Sequence, residues 1–237
     1  MTIRIQKERL WKGGLLMITL LLLFNLLVIL RLSYQDRIFV NEWEYLFNFN
    51  NEANLPTYFS TALLLLAALL LGAIGRTVET KVHWYILSGV FLFLAVDELA
   101  QIHERFGVVG EWMLDLHGVP KGLFYYAWVI PYGFFTACLA VLMLDFLRTL
   151  PLIISRLIIL SAVVFLSGAI GMEMISGWHI EKEGLTQFYY VLTTIEELLE
   201  MLGVLLFNYT LVLYIEQHLG AVHANWVNIE VGELYLV

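Results

Sequence analysis

Trp11-Lys-Gly-Gly-Leu-Leu-Met-Ile-Thr-Leu-Leu-Leu-Leu-Phe-Asn-Leu-Leu-Val-Ile29 carries a single charge, close to its start. A helix needs about 20 consecutive apolar residues to cross the hydrocarbon core of a bilayer, and this run supplies them. It exceeds the ~7–15 apolar residues of a secretory signal, and Arg31-Leu-Ser-Tyr-Gln35 offers no small-x-small cleavage site. The run therefore reads as a retained transmembrane helix.

Working outward, five further stretches have the same character. The six expected spans are about 11–33, 57–75, 82–104, 122–146, 152–177 and 186–215. The chain is 60% hydrophobic and 14% charged, with mean hydropathy +0.80. Ordinary soluble domains are only about 45–50% apolar. The expected fold is an all-α, polytopic integral membrane bundle of six helices forming one domain over 1–237, with 217–237 as a short tail. The polar connection 35–56 holds Trp43, Tyr45 and Phe47 in a pattern suited to an interfacial anchor. In the tail, Trp226, Ile229, Val231 and Leu234 offer an apolar handle for the membrane surface or for a partner in a membrane complex.

Basic residues set the expected orientation. With the N-terminus inside, eight of the 13 Lys and Arg fall on the cytoplasmic side, Arg4, Lys7, Arg9, Lys12, Arg76, Lys81, Arg148 and Arg156. Both termini are then cytoplasmic, in a bacterial cytoplasmic or thylakoid membrane. The Lys and Arg are scattered and form no basic patch, which excludes nucleic acid as a partner; membrane lipids are the expected surroundings. Cys138 is the only cysteine, so neither an intrachain disulfide nor a Cys-based zinc site is available.

The net charge of −8 is unusual because much of the acid lies inside apolar runs. The third span carries Asp97-Glu98-Leu-Ala-Gln-Ile-His103-Glu104, the fifth Gly168-Ala-Ile-Gly171-Met-Glu173, and the sixth Glu196-Glu197-Leu-Leu-Glu200-Met-Leu-Gly203. Each carboxylate at a helix centre costs about 2.5–3.5 kcal/mol to insert. Spans three and five run outward and span six runs inward, so all three clusters fall in the outer half of the membrane at one depth. If the third span is a regular helix, Asp97, Gln101 and Glu104 share a stripe, with Glu98 and His103 flanking it on opposite sides.

Apart from Arg105 at the edge of the third span and Arg156 near the cytoplasmic start of the fifth, no Lys or Arg lies within these spans, so protons or a metal ion must do most of the balancing. Oxygen-heavy ligation with an imidazole suits a divalent metal such as iron, manganese, zinc or calcium. The expected ligands are His103, Glu104, Glu173, Glu197 and Glu200. Asp97, Glu98 and Glu196 are the expected catalytic, proton-handling groups. The bland account is a set of protonated carboxyls hydrogen-bonding between helices. Tyr125, Tyr126, Trp128 and Tyr132, with Tyr58, Ser60 and Thr61, lie at similar depth, most as belt residues and one or two as cavity lining. His179, Asp115 and His117 read as exposed loop residues, and His83 as interfacial.

The quoted motifs, over about residues 57–215, resemble an uncharacterised family of bacterial multipass membrane proteins with a cyanobacterial flavour. That resemblance implies that these residues act as a unit and supplies no chemistry. The residues themselves lead to the expectation of a metal-dependent membrane enzyme acting on a lipid-like or hydrophobic substrate. Two alternatives stand beside it: a proton- or cation-coupled transporter, and a non-catalytic subunit or assembly factor of a membrane complex.

Overall fold

The computed structural model describes residues 2–34, 41–79, 81–114, 121–224 and 227–231. Asp115, His117, Trp226 and Leu234 lie outside the described residues. Among the described residues, six helical spans are long and apolar enough to cross a membrane: Lys7–Leu32, Leu55–Thr77, Lys81–Ala100, Val129–Thr149, Leu152–Glu183 and Gln187–Leu219. The fold is an all-α bundle of these six.

The elements follow in chain order. Helix α1 is Lys7–Tyr34 and α2 the short Glu42–Phe47; α3 is Leu55–Thr77 and α4 Lys81–Ala100. Two short helices, α5 (Ile102–Arg105) and α6 (Gly107–Met113), lie at the far end of α4. Helix α7 is Val129–Thr149. Helix α8 (Leu152–Leu166) runs through a π-helical segment, Ser167–Met172, into α9 (Glu173–Glu183). Helix α10 is Gln187–Tyr214, with a π-helical end at Ile215–Leu219.

Local chemistry explains several boundaries. Asn54 caps α3 by accepting from Thr57 N–H at 3.1 Å, with Pro56 in the first turn where its missing N–H costs nothing. Thr186 caps α10 by accepting from Tyr189 N–H at 3.3 Å. Gly184, at φ +73°, ends α9.

Helices α3 and α10 form the interior of the bundle, and α1, α4, α7 and α8 expose apolar faces such as Leu16, Val82, Phe134 and Val163. Lipid tails are as apolar as leucine, so close packing and hydrogen bonds must hold the helices together. Gly203 on α10 lies against the backbone of Phe165, and Gly168 against the carbonyl of Glu196; a Cβ would sit 2.6 and 2.7 Å from those atoms. Buried Asn208 donates to the Leu63 carbonyl at 2.9 Å, joining α10 to α3. Buried Asn25 donates to Thr194 Oγ1 at 2.8 Å and accepts from Phe49 N–H at 3.0 Å, joining α1, α10 and the α2–α3 loop.

The bundle closes at its terminal end with a three-stranded sheet in the order β1–β3–β2, formed by β1 (Thr2–Ile5), β2 (Ala221–Ala224) and β3 (Val227–Val231). Strand β1 pairs parallel to β3, and β2 antiparallel to it. Of the residues expected to offer a handle, Ile229 and Val231 lie in β3, paired with Ile3 and Ile5 of β1. Lys7 and Glu216 add an ion pair beside the sheet.

Three expectations need correction. The third span is not continuous to residue 104: α4 stops at Ala100, and Gln101 adopts a left-handed conformation at φ 52°, ψ 44°. Residue 122 does not begin the fourth membrane helix; a short 3-10 turn, Gly122–Phe124, precedes α7. His179 is not on a loop, because no breaker intervenes before Gly184. It lies on α9, only 9% exposed, with Nε2 2.7 Å from Thr186 Oγ1. Within the described part of 35–56, the expected anchor contains α2, whose Glu44 is buried and paired with Arg31 at 3.1 Å, while the Arg31 guanidinium stands 5.4 Å from the Trp43 ring.

Candidate functional site

A cavity of about 1010 Å³ lies between α4, α7, α8 and α10. Helix α7 makes its closest helix contacts with α6 and α8 and packs only sparsely against α4 and α10. Aromatic contacts join α7 to neighbouring helices near both of its ends. Phe146 stacks on His83 at 5.0 Å and meets Trp84 edge-on at 5.0 Å. Tyr132 lies 6.3 Å from Phe93 and 5.9 Å from Phe106. Between those contacts the wall is apolar, with Leu94, Leu139, Met143, Phe165 and Leu166 facing the space. Several wall residues also lie at the molecular surface, notably Phe135 at 52% and Val163 at 59% exposure, so the cavity opens sideways between helices.

All eight residues singled out in the sequence line this cavity: Asp97, Glu98, His103, Glu104, Glu173, Glu196, Glu197 and Glu200. They occupy the end remote from the terminal sheet. Two departures from regular helix shape this end. The turn at Gln101 folds the chain back so that His103 N–H donates to Asp97 Oδ1 at 2.7 Å. The ring follows, with Nδ1 3.4 Å from Asp97 Oδ2. On the opposite wall, the π-helical segment before Glu173 re-aims that residue, and Trp128 Nε1 donates to Glu173 Oε1 at 3.0 Å. Ser176 donates to Glu196 Oε2 at 3.3 Å.

The aromatic side of the site is held by one carboxylate. Glu181 accepts from the backbone N–H of Lys121 and of Gly122, both at 2.7 Å, fixing the turn that delivers Tyr125, Tyr126 and Trp128. Gly177 lies beneath Tyr125 and Tyr126, where a Cβ would sit 2.8 Å from the Tyr126 ring. Tyr126 and Tyr189 share a hydrogen bond at 2.8 Å, and burial together with that bond pushes the Tyr126 phenol well above its usual range. Burial alone would pull the His103 imidazole down, but the hydrogen bond and charge of Asp97 outweigh it and leave the imidazole above its usual value.

Glu52, in the loop between α2 and α3, also lines the cavity and escaped the sequence reading. Burial pushes its carboxyl above the usual range, tempered by the nearby His103. Its signal was faint: one acid two residues before the cap Asn54, in a stretch whose aromatics pointed to the interface. Ser60, one of the residues expected at this depth, lines the cavity with its hydroxyl buried and unpartnered, whereas Tyr58 faces outward.

A compact metal-ligand group is not assembled. Among the described residues no three of His, Cys, Asp and Glu are gathered closely enough to hold a metal ion. The reason is visible in the partners: His103 is turned onto Asp97, Glu173 onto Trp128, and Glu104 is exposed. Of the five expected ligands, His103, Glu104, Glu173, Glu197 and Glu200, all face one cavity without converging on one point.

The family described as Domain of unknown function (DUF8692) matches residues 14–215. The chain belongs to this family. The DUF8692 match contains most of the first span and all of the next four, continues to residue 215 of the last, and includes every residue placed in the site; the strands of the terminal sheet lie outside it. No curated protein and no solved structure matches the chain.

Proposed function

We propose that this protein is an integral membrane enzyme that takes a lipid-like substrate sideways from the bilayer and presents the substrate's polar end to the carboxylates. One observation carries this reading: a single cavity is apolar along most of its length, opens between lipid-facing helices, and ends in nine acidic side chains and a histidine. Ligand sites are typically concave and mostly apolar, with a few polar groups that fix orientation. In the orientation set by the basic residues, the acidic end faces away from the cytoplasm.

Asp97, Glu98 and Glu196 are the proposed proton-handling groups, since paired carboxyls in unlike surroundings can divide acid and base roles. A divalent metal is the finer form of the proposal. Its ligands would be His103, Glu104, Glu173, Glu197 and Glu200, drawn together on loading, and it would supply an activated water or a polarised substrate oxygen. The sparse packing of α7 leaves room for that closure.

Coupled transport is the second reading, favoured by the length of the cavity. It requires polar groups toward the terminal end, where the lining is instead Leu87, Leu139, Met143, Phe146 and Ile158.

The test is extraction and mass spectrometry of amphiphiles retained by the protein purified in nanodiscs, alongside elemental analysis of wild type and Glu197→Gln. An amphiphile retained by wild type and lost when the cavity is narrowed by Ala162→Phe supports the site. A wild-type protein that retains none, and binds none on addition, overturns it. Stoichiometric metal that is lost in Glu197→Gln supports the metal-dependent form.

A further inference from the structure

We infer that the acidic end of the cavity recognises an organic ammonium, the positively charged headgroup of a single-chain or otherwise phosphate-free amphiphile. The inference rests on the lipid-like reading of the cavity and names the head that the tail must carry.

Charge inventory comes first. Nine acidic side chains line the cavity, and its lining includes no Lys or Arg. Glu111 is paired with Lys121, and Asp97 with His103; the others have no cationic partner within the lining. A phosphate or carboxylate head finds no Lys or Arg here to pair with, whereas an ammonium can take a carboxylate of this end as its counter-ion.

The second observation is Ser60. Its side chain lines the cavity at 5% exposure, and its hydroxyl has no hydrogen-bond partner. A buried hydroxyl left unpaired is costly, and this one has lone pairs available to a donor arriving in the cavity. An ammonium N–H is such a donor.

Aromatic chemistry then separates an organic cation from a metal ion. Tyr125, Tyr126, Trp128 and Tyr132 line the same end, and ring faces attract alkylammonium groups as well as ammonium itself. A divalent metal would have to draw several oxygens onto one point, because among the described residues no three acids or imidazoles are gathered closely enough to hold one. A diffuse ring of acids backed by aromatics fits a larger, softer cation. At about 1010 Å³ the cavity is at the upper end of ligand pockets, which run to about 1,000 Å³, with room for a long chain below the head.

The experiment is native mass spectrometry of the whole chain in a neutral, non-ionic detergent, titrated separately with hexadecylamine, hexadecyltrimethylammonium, hexadecanol and palmitate. Hexadecylamine is expected to bind at least tenfold more tightly than hexadecanol, with hexadecyltrimethylammonium, which has no N–H for Ser60, between them and palmitate weakest. Glu196→Gln with Glu200→Gln is expected to remove that tenfold preference; a thermal melt of the double variant verifies that it is folded. Equal binding of alcohol and amine by wild type overturns the headgroup inference and leaves the lipid-like reading standing. Binding of none of the four overturns both. An ammonium preference that survives in the double variant overturns the assignment to these carboxylates.

Discussion

Asp97 holds His103 by both its backbone and its ring, accepting from the amide at 2.7 Å and facing Nδ1 at 3.4 Å. This contact spans the turn at Gln101, so it links the end of a membrane helix to the chain that covers the site. Because Asp97 holds the His103 proton more firmly than the unfolded chain does, its contribution to stability is fully present below about pH 6.5 and is lost as pH rises through the folded value. Asp97→Asn is expected to remove on the order of 1 kcal/mol at pH 6 and to flatten the pH dependence above it, read by thermal melts from pH 5 to 9. An unchanged pH profile would mean that the pair is not formed.

Gln101 occupies the left-handed region, which costs a side chain about 1–2 kcal/mol relative to glycine. Gln101→Gly should hold or raise the melting temperature in detergent. Gln101→Val, branched at Cβ, should lower stability by about 1–2 kcal/mol. Equal melting of both variants would show that residues 97–104 run as an unbroken helix.

Glu52 has a carboxyl that burial pushes upward, so the folded chain prefers it protonated. Its ionisation therefore opposes folding once the pH exceeds its ordinary value of 4.5, and the penalty grows as pH rises. Glu52→Gln is expected to stabilise the protein by about 1 kcal/mol at pH 7 and by little at pH 4. Denaturant titrations at the two pH values give the difference directly, and a loss of stability at pH 7 would count against burial of this side chain at the site.

Gly168 and Gly13 form a matched pair for a packing test. A Cβ at Gly168 would meet the Glu196 carbonyl at 2.7 Å, whereas one at Gly13 would meet nothing within 4 Å. Gly168→Ala should cost about 1–3 kcal/mol by forcing the π-helical segment off α10, and Gly13→Ala should be neutral or slightly stabilising. The comparison is made by thermal unfolding of the two variants side by side. Similar melting would mean that the segment does not approach α10 this closely.

How much of this was legible in the sequence follows from which forces write into sequence. The six spans were readable because a bilayer imposes length and apolarity on every crossing, and the alternation of direction then put Asp97, Glu173 and Glu196 at one end. The local geometry was not readable. Gln101 carries no mark of a left-handed turn, since that conformation is imposed by the contact of Asp97 with His103 and the short helices beyond. Ser167–Met172 contains two glycines, which suggested close packing but not a π-helical segment. Glu52 was hidden because a loop acid is ordinary until the fold lowers that loop over a cavity. The continuation of α9 to Glu183 rested on the absence of a breaker, a weaker signal than the presence of one.

The terminal sheet sets an order on biogenesis. Strand β1 leaves the ribosome before all six spans, yet its partner β3 lies more than 200 residues later. At roughly 5–20 residues per second, β1 waits on the order of tens of seconds while all six spans enter the bilayer. The nascent chain is therefore a bundle with an open seam, and the emergence of β3 is the event that sews it shut.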